Sequence, residues 1–277
     1  MNHVGVSING GISVLSAFAN GRGASVAIDL PMEIVMRESN SSSGRFEEFW
    51  NIARRRFGIS GNYDIEIKSK IPQGNGLKSS SALITGLLMG IDKIFGLFNS
   101  MQQLAEESAE ISKILKLSYT GAFDDICSCI YGGLCYCDNR ENKLIKRFVM
   151  KEMNVIVIPG KEERSSFNAG SFDFTPYMER FKVIEDMIIE GRFLEAMKAN
   201  GEIFMEIYGD DKHKLDRIRN LDPLCLGQSG KGPAIFAVFK SEREADYAYK
   251  ELENFNLSPI RTSFSNEPAR VRDQDDV

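Results

Sequence analysis

The first seventy residues show short runs of alternating apolar and polar positions separated by turns. GISVLSAF, ASVAIDL and MEIVMRE predict strands, and the small residues of NGRG at 20–23 predict a turn between the first two. YDIEIKSKI alternates strictly and predicts a half-buried strand. Between these runs the period changes to that of a helix in FEEFWNIARRRF, whose apolar side chains fall on one face: Phe46, Phe49, Trp50, Ala53 and Phe57.

The rest of the chain mixes helical and strand periods. Helical spacing runs from Ser79 to about Leu117, with a break near Asn99, and a third helix is predicted to begin near Phe123. GGLCYCD and NVIVIP predict strands, followed by helices at roughly 174–190 and 192–208. The last third reads as strand AIFAVFK, amphipathic helix SEREADYAYKELENF and strand LSPIRTSF, so it resembles a ferredoxin-like unit. The order of elements predicts an α+β protein.

Composition excludes several classes of function. The chain has 277 residues, 43% of them hydrophobic, and a formal net charge of -5 with a pI near 5.3. A nucleic-acid partner is not expected, because proteins that bind the phosphate backbone need a cationic face. No apolar run is long enough to cross a bilayer, and MNHVGVSING lacks the blocks of a signal peptide. We therefore predict a cytoplasmic protein without a membrane partner.

Four of the five cysteines lie close together, at positions 127, 129, 135 and 137. A metal site is one interpretation, but structural zinc usually takes Cys-x-x-Cys spacing, whereas both pairs here are Cys-x-Cys. The simpler interpretation is that these are small buried side chains at a helix end and on the next strand. We therefore predict that these cysteines bind no metal.

The segment IPQGNGLKSSSAL, residues 71–83, lies between a predicted strand and a long predicted helix. A glycine-rich turn before a helix presents unpaired backbone N–H groups and the positive end of the helix dipole, which together bind phosphate. Gly74 and Gly76 allow close approach of an anion, the serines at 79–81 offer hydroxyl groups, and Lys78 adds a charge. The segment is not a Walker A loop, because Leu77 precedes the lysine and the glycine spacing differs. A serine cap that binds nothing is the alternative.

Two further segments carry candidate chemistry. YTGAFDDICSCIYGG places Asp124 and Asp125 at the start of a predicted helix, where they are either functional acids or charges that suit the helix dipole. In CLGQSGKGPAIFAVF, the turn Ser229-Gly230-Lys231-Gly232-Pro233 leads directly into an apolar strand. As an isolated pattern this turn is weak evidence, since many turns have such a composition.

Together the three segments resemble the motifs of the GHMP kinase superfamily. Pro72, Gly76, Leu77, Ser79, Ser80 and Ala82 match its Pro-x-x-x-Gly-Leu-x-Ser-Ser-x-Ala motif, and GLKSSSA and TGAFDD resemble the archaeal type of shikimate kinase. The expected Pro-Gly-Lys start of the N-terminal motif is absent. The resemblance implies a domain of ribosomal-protein-S5-like type over residues 1–150 and a ferredoxin-like domain over residues 151–277.

The resemblance also implies an activity and the residues that carry it. It implies ATP-dependent phosphorylation of the shikimate 3-hydroxyl, with ATP and Mg²⁺ bound. Homoserine or mevalonate as the acceptor, or a non-catalytic binding protein, are the alternatives. Asp125 and Lys78 would be catalytic, Ser80 and Asp124 would hold the metal, and Arg22, Asp29, Asp125 and Arg164 would bind the acceptor. The ATP-binding residues would be Pro72, Gln73, Gly74, Asn75, Gly76, Leu77, Lys78, Ser79, Ser80, Ser81, Ala82, Ser229, Gly230 and Gly232.

Overall fold

A computed structural model describes residues 3–40, 44, 46–118, 120–160, 173–209 and 211–272. Within these ranges the strands form two antiparallel sheets. The first sheet contains β1 (His3–Leu15), β2 (Arg22–Ser39), β3 (Asn62–Ser69), β4 (Leu134–Asp138), β5 (Lys143–Phe148) and a short last strand, β10 (Arg270–Arg272). Its order is β10-β1-β2-β4-β5, and β3 also pairs with β2. The C-terminal end of the described chain therefore returns to the sheet in which the chain begins.

The hairpin of β1 and β2 is longer than its sequence predicts. The sequence predicts two strands, ASVAIDL and MEIVMRE, but β2 runs continuously through Pro31. The pairing shifts register at this point, where Asn9 lies opposite Pro31 and the next pair is Gly10 with Ile28. A proline has no N–H to donate to the ladder, and such an irregularity accommodates it without ending the strand.

The described residues of the first half of the chain form four helices: α1 (Glu47–Phe57), α2 (Ser79–Phe95), α3 (Met101–Ile114) and α4 (Phe123–Tyr131). The predicted break near residue 99 separates α2 from α3. The axis of α2 lies close to the sheet because it carries glycines on the packed face. A Cβ at Gly86 would lie 2.6 Å from Ile34 Cδ1, and one at Gly90 would overlap Met36 Sδ. This close packing fixes the position of the helix whose N-terminus faces the candidate site.

The second sheet has the order β7-β8-β6-β9. Its strands are β6 (Asn154–Ile158), β7 (Cys225–Gln228), β8 (Ile235–Phe239) and β9 (Ile260–Ser263). A short 3₁₀ turn (Thr175–Tyr177) leads into α5 (Met178–Ile189), which α6 (Phe193–Tyr208), α7 (Lys212–Arg219) and α8 (Glu242–Asn254) follow. The predicted ferredoxin-like arrangement is confirmed, since the first and third strands of this unit are central and its second and fourth are at the edges. A domain boundary at residue 150 stays a prediction.

None of the helices in the described ranges combines the length and the apolar composition that crossing a membrane would require.

Candidate active site

A cavity of about 320 Å³ lies where the predicted motifs converge. Its walls come from the turn before α2, the end of β1, the connection from α3 to α4, the start of α4 and the turn between β7 and β8. The lining residues are Ser13, Leu15, Ser16, Ala17, Phe18, Gly74, Gly76, Lys78, Ser79, Ser80, Ser81, Ser112, Leu117, Ser118, Thr120, Ala122, Asp124, Asp125, Asn139, Ser229, Gly230, Lys231 and Gly232.

The N-terminus of α2 points its free backbone donors at this cavity. The first intrahelical bond runs from Ala82 N–H to Lys78 C=O, so the N–H groups of the three preceding serines have no intrahelical acceptor. The first turn contains no acidic side chain. Lys78 has a left-handed backbone with φ of 68°, which costs a non-glycine residue about 1–2 kcal/mol. A glycine would adopt this conformation without that cost, and the Lys78 side chain reaches Asp125 on α4.

Lys78 and Asp125 form an ion pair inside the cavity. The Lys78 Nζ atom lies 2.8 Å from Asp125 Oδ1, and it also donates a hydrogen bond of 2.6 Å to Ser13 Oγ. The two charged side chains are only 8% and 17% exposed, respectively. The pair therefore places a cation and a carboxylate side by side in front of the α2 N-terminus, where both can reach a bound ligand.

Asp124 is held differently from its neighbour. It is buried, its Oδ1 accepts a hydrogen bond of 2.6 Å from the Asn139 amide, and its backbone N–H donates to Asn139 Oδ1. Gly23 allows this packing, because a Cβ there would lie 2.7 Å from the Asp124 carboxyl carbon. Burial, and then the charge of Asp125, raise the pKa of Asp124 to about 7. The two adjacent acids thus have separate environments and are suited to separate roles.

The turn between β7 and β8 is locked onto the phosphate-loop candidate by backbone contacts. Ser229 Oγ donates to Gly76 C=O at 2.8 Å, and Ala234 N–H donates to Asn75 C=O at 3.3 Å. A Cβ on Gly76 would overlap the Ser229 carbonyl oxygen, and one on Gly232 would overlap the Asn75 carbonyl group. Both glycines are required because two main chains touch here. The turn at 229–233 therefore holds the segment at 71–83 in place.

The structure brings most of the predicted site residues together. The cavity-lining positions among them are Gly74, Gly76, Lys78, Ser79, Ser80, Ser81, Asp124, Asp125, Ser229, Gly230 and Gly232. The other five predicted ATP-binding residues are not among the lining residues: Pro72, Gln73, Asn75, Leu77 and Ala82. Asn75 instead supports the turn, since its Oδ1 accepts from Gly160 N–H at 2.8 Å, while Leu77 and Ala82 are buried in the core.

The predicted acceptor residues lie elsewhere or are outside the description. Arg22 pairs with Asp138 at 2.8 Å, and neither Arg22 nor Asp29 is among the lining residues. Asp29 is exposed on β2, and Arg164 lies outside the described residues. The serines at the end of β1, Asn139 and Lys231 were missed by sequence reasoning. Of these residues, only Lys231 carried a signal in the sequence, because it stands inside the glycine-rich turn at 229–233.

The five cysteines are buried free thiols. Burial raises the pKa of the Cys129 and Cys135 thiols, which disfavours the thiolate that a metal needs. Among the described residues no group of three or more His, Cys, Asp or Glu side chains is arranged to hold a metal ion. The absence of bound metal at these cysteines stays a prediction.

Kinases are among the known proteins that resemble this chain in sequence and in fold. The family model described as the GHMP kinases N terminal domain matches residues 45–133. A shikimate kinase from Thermoplasma acidophilum is 37% identical over 253 residues, which is 91% of this chain and 92% of that protein. A shikimate kinase from Pyrococcus furiosus is 30% identical over 268 residues, 90% of this chain and 96% of that protein. A crystal structure of homoserine kinase from Cytophaga hutchinsonii superposes with a TM-score of 0.75 at 16% identity and covers 98% of each chain. The predicted GHMP kinase fold is confirmed.

Proposed function

We propose, from the premise that this chain belongs to the shikimate kinases of the GHMP kinase superfamily, that it phosphorylates the shikimate 3-hydroxyl with ATP. The products are shikimate 3-phosphate and ADP, on the route to chorismate and the aromatic amino acids. The observation that carries the proposal is the ion pair of Lys78 with Asp125 in front of the free N–H groups of α2. That arrangement joins an anion site to a carboxylate able to receive a proton.

The α2 N-terminus and the serines at 79–81 bind the ATP triphosphate in this proposal. Backbone N–H groups and the helix dipole stabilise negative charge there without a side chain having to move. The end of β1 and the start of α4 line the same cavity and would hold the acceptor on their side of the phosphate chain. An acceptor bound on that side can attack the γ-phosphorus in line with the leaving oxygen.

Asp125 orients the acceptor hydroxyl and takes its proton as the new O–P bond forms and the bond from the γ-phosphorus to the bridging oxygen breaks. Lys78, beside it, neutralises charge on the transferred group. The proton is released from Asp125 to solvent after the products leave. Most of the rate acceleration comes from positioning and charge neutralisation, as in other phosphoryl transfers.

Magnesium is expected to enter with ATP. Mg²⁺ usually binds through one or two carboxylates together with substrate phosphates and several waters, and the described residues fit that pattern better than a closed protein cage. The Asp124 carboxyl and the Ser80 hydroxyl line the cavity and would be its protein ligands. When bound, the ion would supply positive charge that offsets the negative charge of the ATP phosphates.

The test is a coupled ADP-release assay of the purified protein with ATP, Mg²⁺ and one acceptor at a time: shikimate, homoserine or mevalonate. We expect turnover with shikimate and none above background with the other two. Preferential turnover of homoserine or mevalonate would replace the proposed acceptor, and no turnover with any acceptor would favour a binding protein. Cytoplasmic location remains part of the proposal and can be checked by fractionation.

A further inference from the structure

We infer that Lys231, in the turn between β7 and β8, binds the carboxylate of the acceptor. The inference rests on the proposed function, which makes that acceptor an anionic trihydroxy acid. A carboxylate that leaves water for a protein cavity needs a cation or several hydrogen-bond donors, because an unpaired buried charge is costly. The cavity must therefore offer a positive group or a set of donors in addition to those that serve the phosphates, and a cation satisfies a carboxylate with a single side chain.

The described cavity lining contains two cations, Lys78 and Lys231. Lys78 is already engaged, since its Nζ contacts both Asp125 Oδ1 and Ser13 Oγ and its side chain is almost fully buried. Lys231 is exposed at the cavity edge, and no ion pair joins it to another described residue. It is thus the cation of the described lining that is available to a second anion.

Hydrogen bonds tie the backbone on both sides of Lys231 to the rest of its turn. Gly230 C=O accepts a hydrogen bond from the buried Gln228 amide at 2.8 Å, and Ser229 N–H donates to Ala234 C=O at 3.0 Å across the turn. Contacts on both sides also limit what the neighbouring positions can carry. A Cβ on Gly230 would lie 2.9 Å from Ser13 Oγ, and one on Gly232 would overlap the phosphate loop. Lys231 lies between these two glycines, and it is the residue of the three whose side chain can extend to the ligand.

The position of this turn favours the acceptor over ATP. Gly230 packs on Ser13, whose hydroxyl accepts the hydrogen bond from Lys78, and Lys78 in turn contacts Asp125. The residue before Lys231 is therefore linked through Ser13 and Lys78 to Asp125, the acid that the proposed function assigns to the acceptor hydroxyl. The proposed function already assigns the α2 N-terminus as the binding site of the triphosphate. The acceptor carboxylate, by contrast, has no other assigned partner among the described residues.

The experiment compares Lys231→Met with wild type on two acceptors, shikimate and its analogue in which the carboxylate is reduced to a hydroxymethyl group. We expect the variant to raise the KM for shikimate about 10- to 100-fold, the loss typical of a hydrogen bond to a charged group. The KM for ATP and the kinetics with the reduced analogue should stay within about twofold of wild type. Lys231→Arg keeps the charge and should recover most of the shikimate affinity.

Lys240→Met is the matched control, because Lys240 is also exposed but is not among the cavity-lining residues. It should behave as wild type in every assay. A rise in the KM for ATP, or equal losses with both acceptors, would assign Lys231 to the phosphates and overturn the inference. The same acid-specific loss in Arg164→Met but not in Lys231→Met would also overturn it. Failure of the wild type to phosphorylate shikimate would instead refute the proposed function.

Discussion

Replacing Asp125 with Asn tests the central assignment of the site. The amide keeps the shape of the side chain but removes the negative charge that lies 2.8 Å from Lys78 Nζ. A carboxylate that positions or accepts a proton contributes roughly 10²–10⁴-fold to the chemical step. We therefore expect kcat to fall at least about a hundredfold, which is about 3 kcal/mol of activation free energy. The KM for ATP should change little, because the backbone donors of α2 remain.

The same substitution should also lower stability, since it leaves the Lys78 ammonium without its counter-charge. Removing one partner of a fully buried ion pair costs about 3–5 kcal/mol. The Asp125 side chain is 17% exposed and the Ser13 hydroxyl still accepts from Lys78, so we expect about 1–3 kcal/mol in urea unfolding. The double variant Lys78→Met/Asp125→Asn removes both charges and should be closer to wild type in stability.

Asp124→Asn is the matched control, because the neighbouring acid has the same chemistry but a different environment. Coupled assays and single-turnover measurements on both variants separate the chemical step from binding. We expect the Asp124 variant to act mainly through the magnesium dependence of turnover. If Asp124→Asn abolishes turnover while Asp125→Asn keeps a near-normal kcat, the two roles are reversed and the reasoning from the ion pair fails.

Three other outcomes can be measured directly. Gly232→Ala should weaken ATP binding at least about tenfold in calorimetry, because its methyl group would collide with the Asn75 carbonyl. Gly96→Ala is the control and should leave ATP affinity unchanged, since Gly96 has a φ of 63° but open space around it. Equal ATP affinity in the two variants would contradict the contact between the turn at 229–233 and the loop at 72–82. The pKa of Asp124 is raised to about 7, so the folded protein keeps a proton that the unfolded chain releases near pH 4. Between about pH 4 and 7, the free energy of unfolding of the unliganded wild type should therefore fall relative to that of Asp124→Asn. The fall should be at most about 1.4 kcal/mol per pH unit. A stability difference that is flat over that range would refute the raised pKa. Protein purified without added metal should contain no stoichiometric zinc by mass spectrometry, and one zinc per chain would refute the structural interpretation of the clustered cysteines.

The elements with clear periodicity could be predicted from the sequence, and those whose existence depends on a distant partner could not. α1, α2 and α8 carry strong apolar stripes. β5, by contrast, has the composition KLIKRF and is mostly exposed, so it resembles a polar loop until β4 pairs with it. β10 has three residues and exists through its pairing with β1. The extent of β2 was underestimated because Pro31 usually ends a strand, and only the register shift opposite it allows continuation.

The candidate site also contains residues that could be predicted from local sequence and residues that could not. Gly76, Lys78 and Asp125 stand in local motifs whose chemistry is legible in a few consecutive residues. The partners of these residues come from far along the chain: Ser13 is 65 positions from Lys78, and Ser229 is 153 positions from Gly76. No local pattern connects such positions. Arg22 has the charge that a carboxylate requires, but its pairing with Asp138 depends on the register of β2 with β4.

The contact between the phosphate loop and the turn after β7 has a consequence for how the protein is made. The loop at residues 72–82 is synthesised about 150 residues before the segment that packs against it. A nascent chain that has exposed α2 but not yet β8 lacks the Ser229 and Ala234 donors that hold the Asn75 and Gly76 carbonyls. On the ribosome, the contacts that hold the loop proposed to bind nucleotide are therefore completed only after residue 234 has emerged.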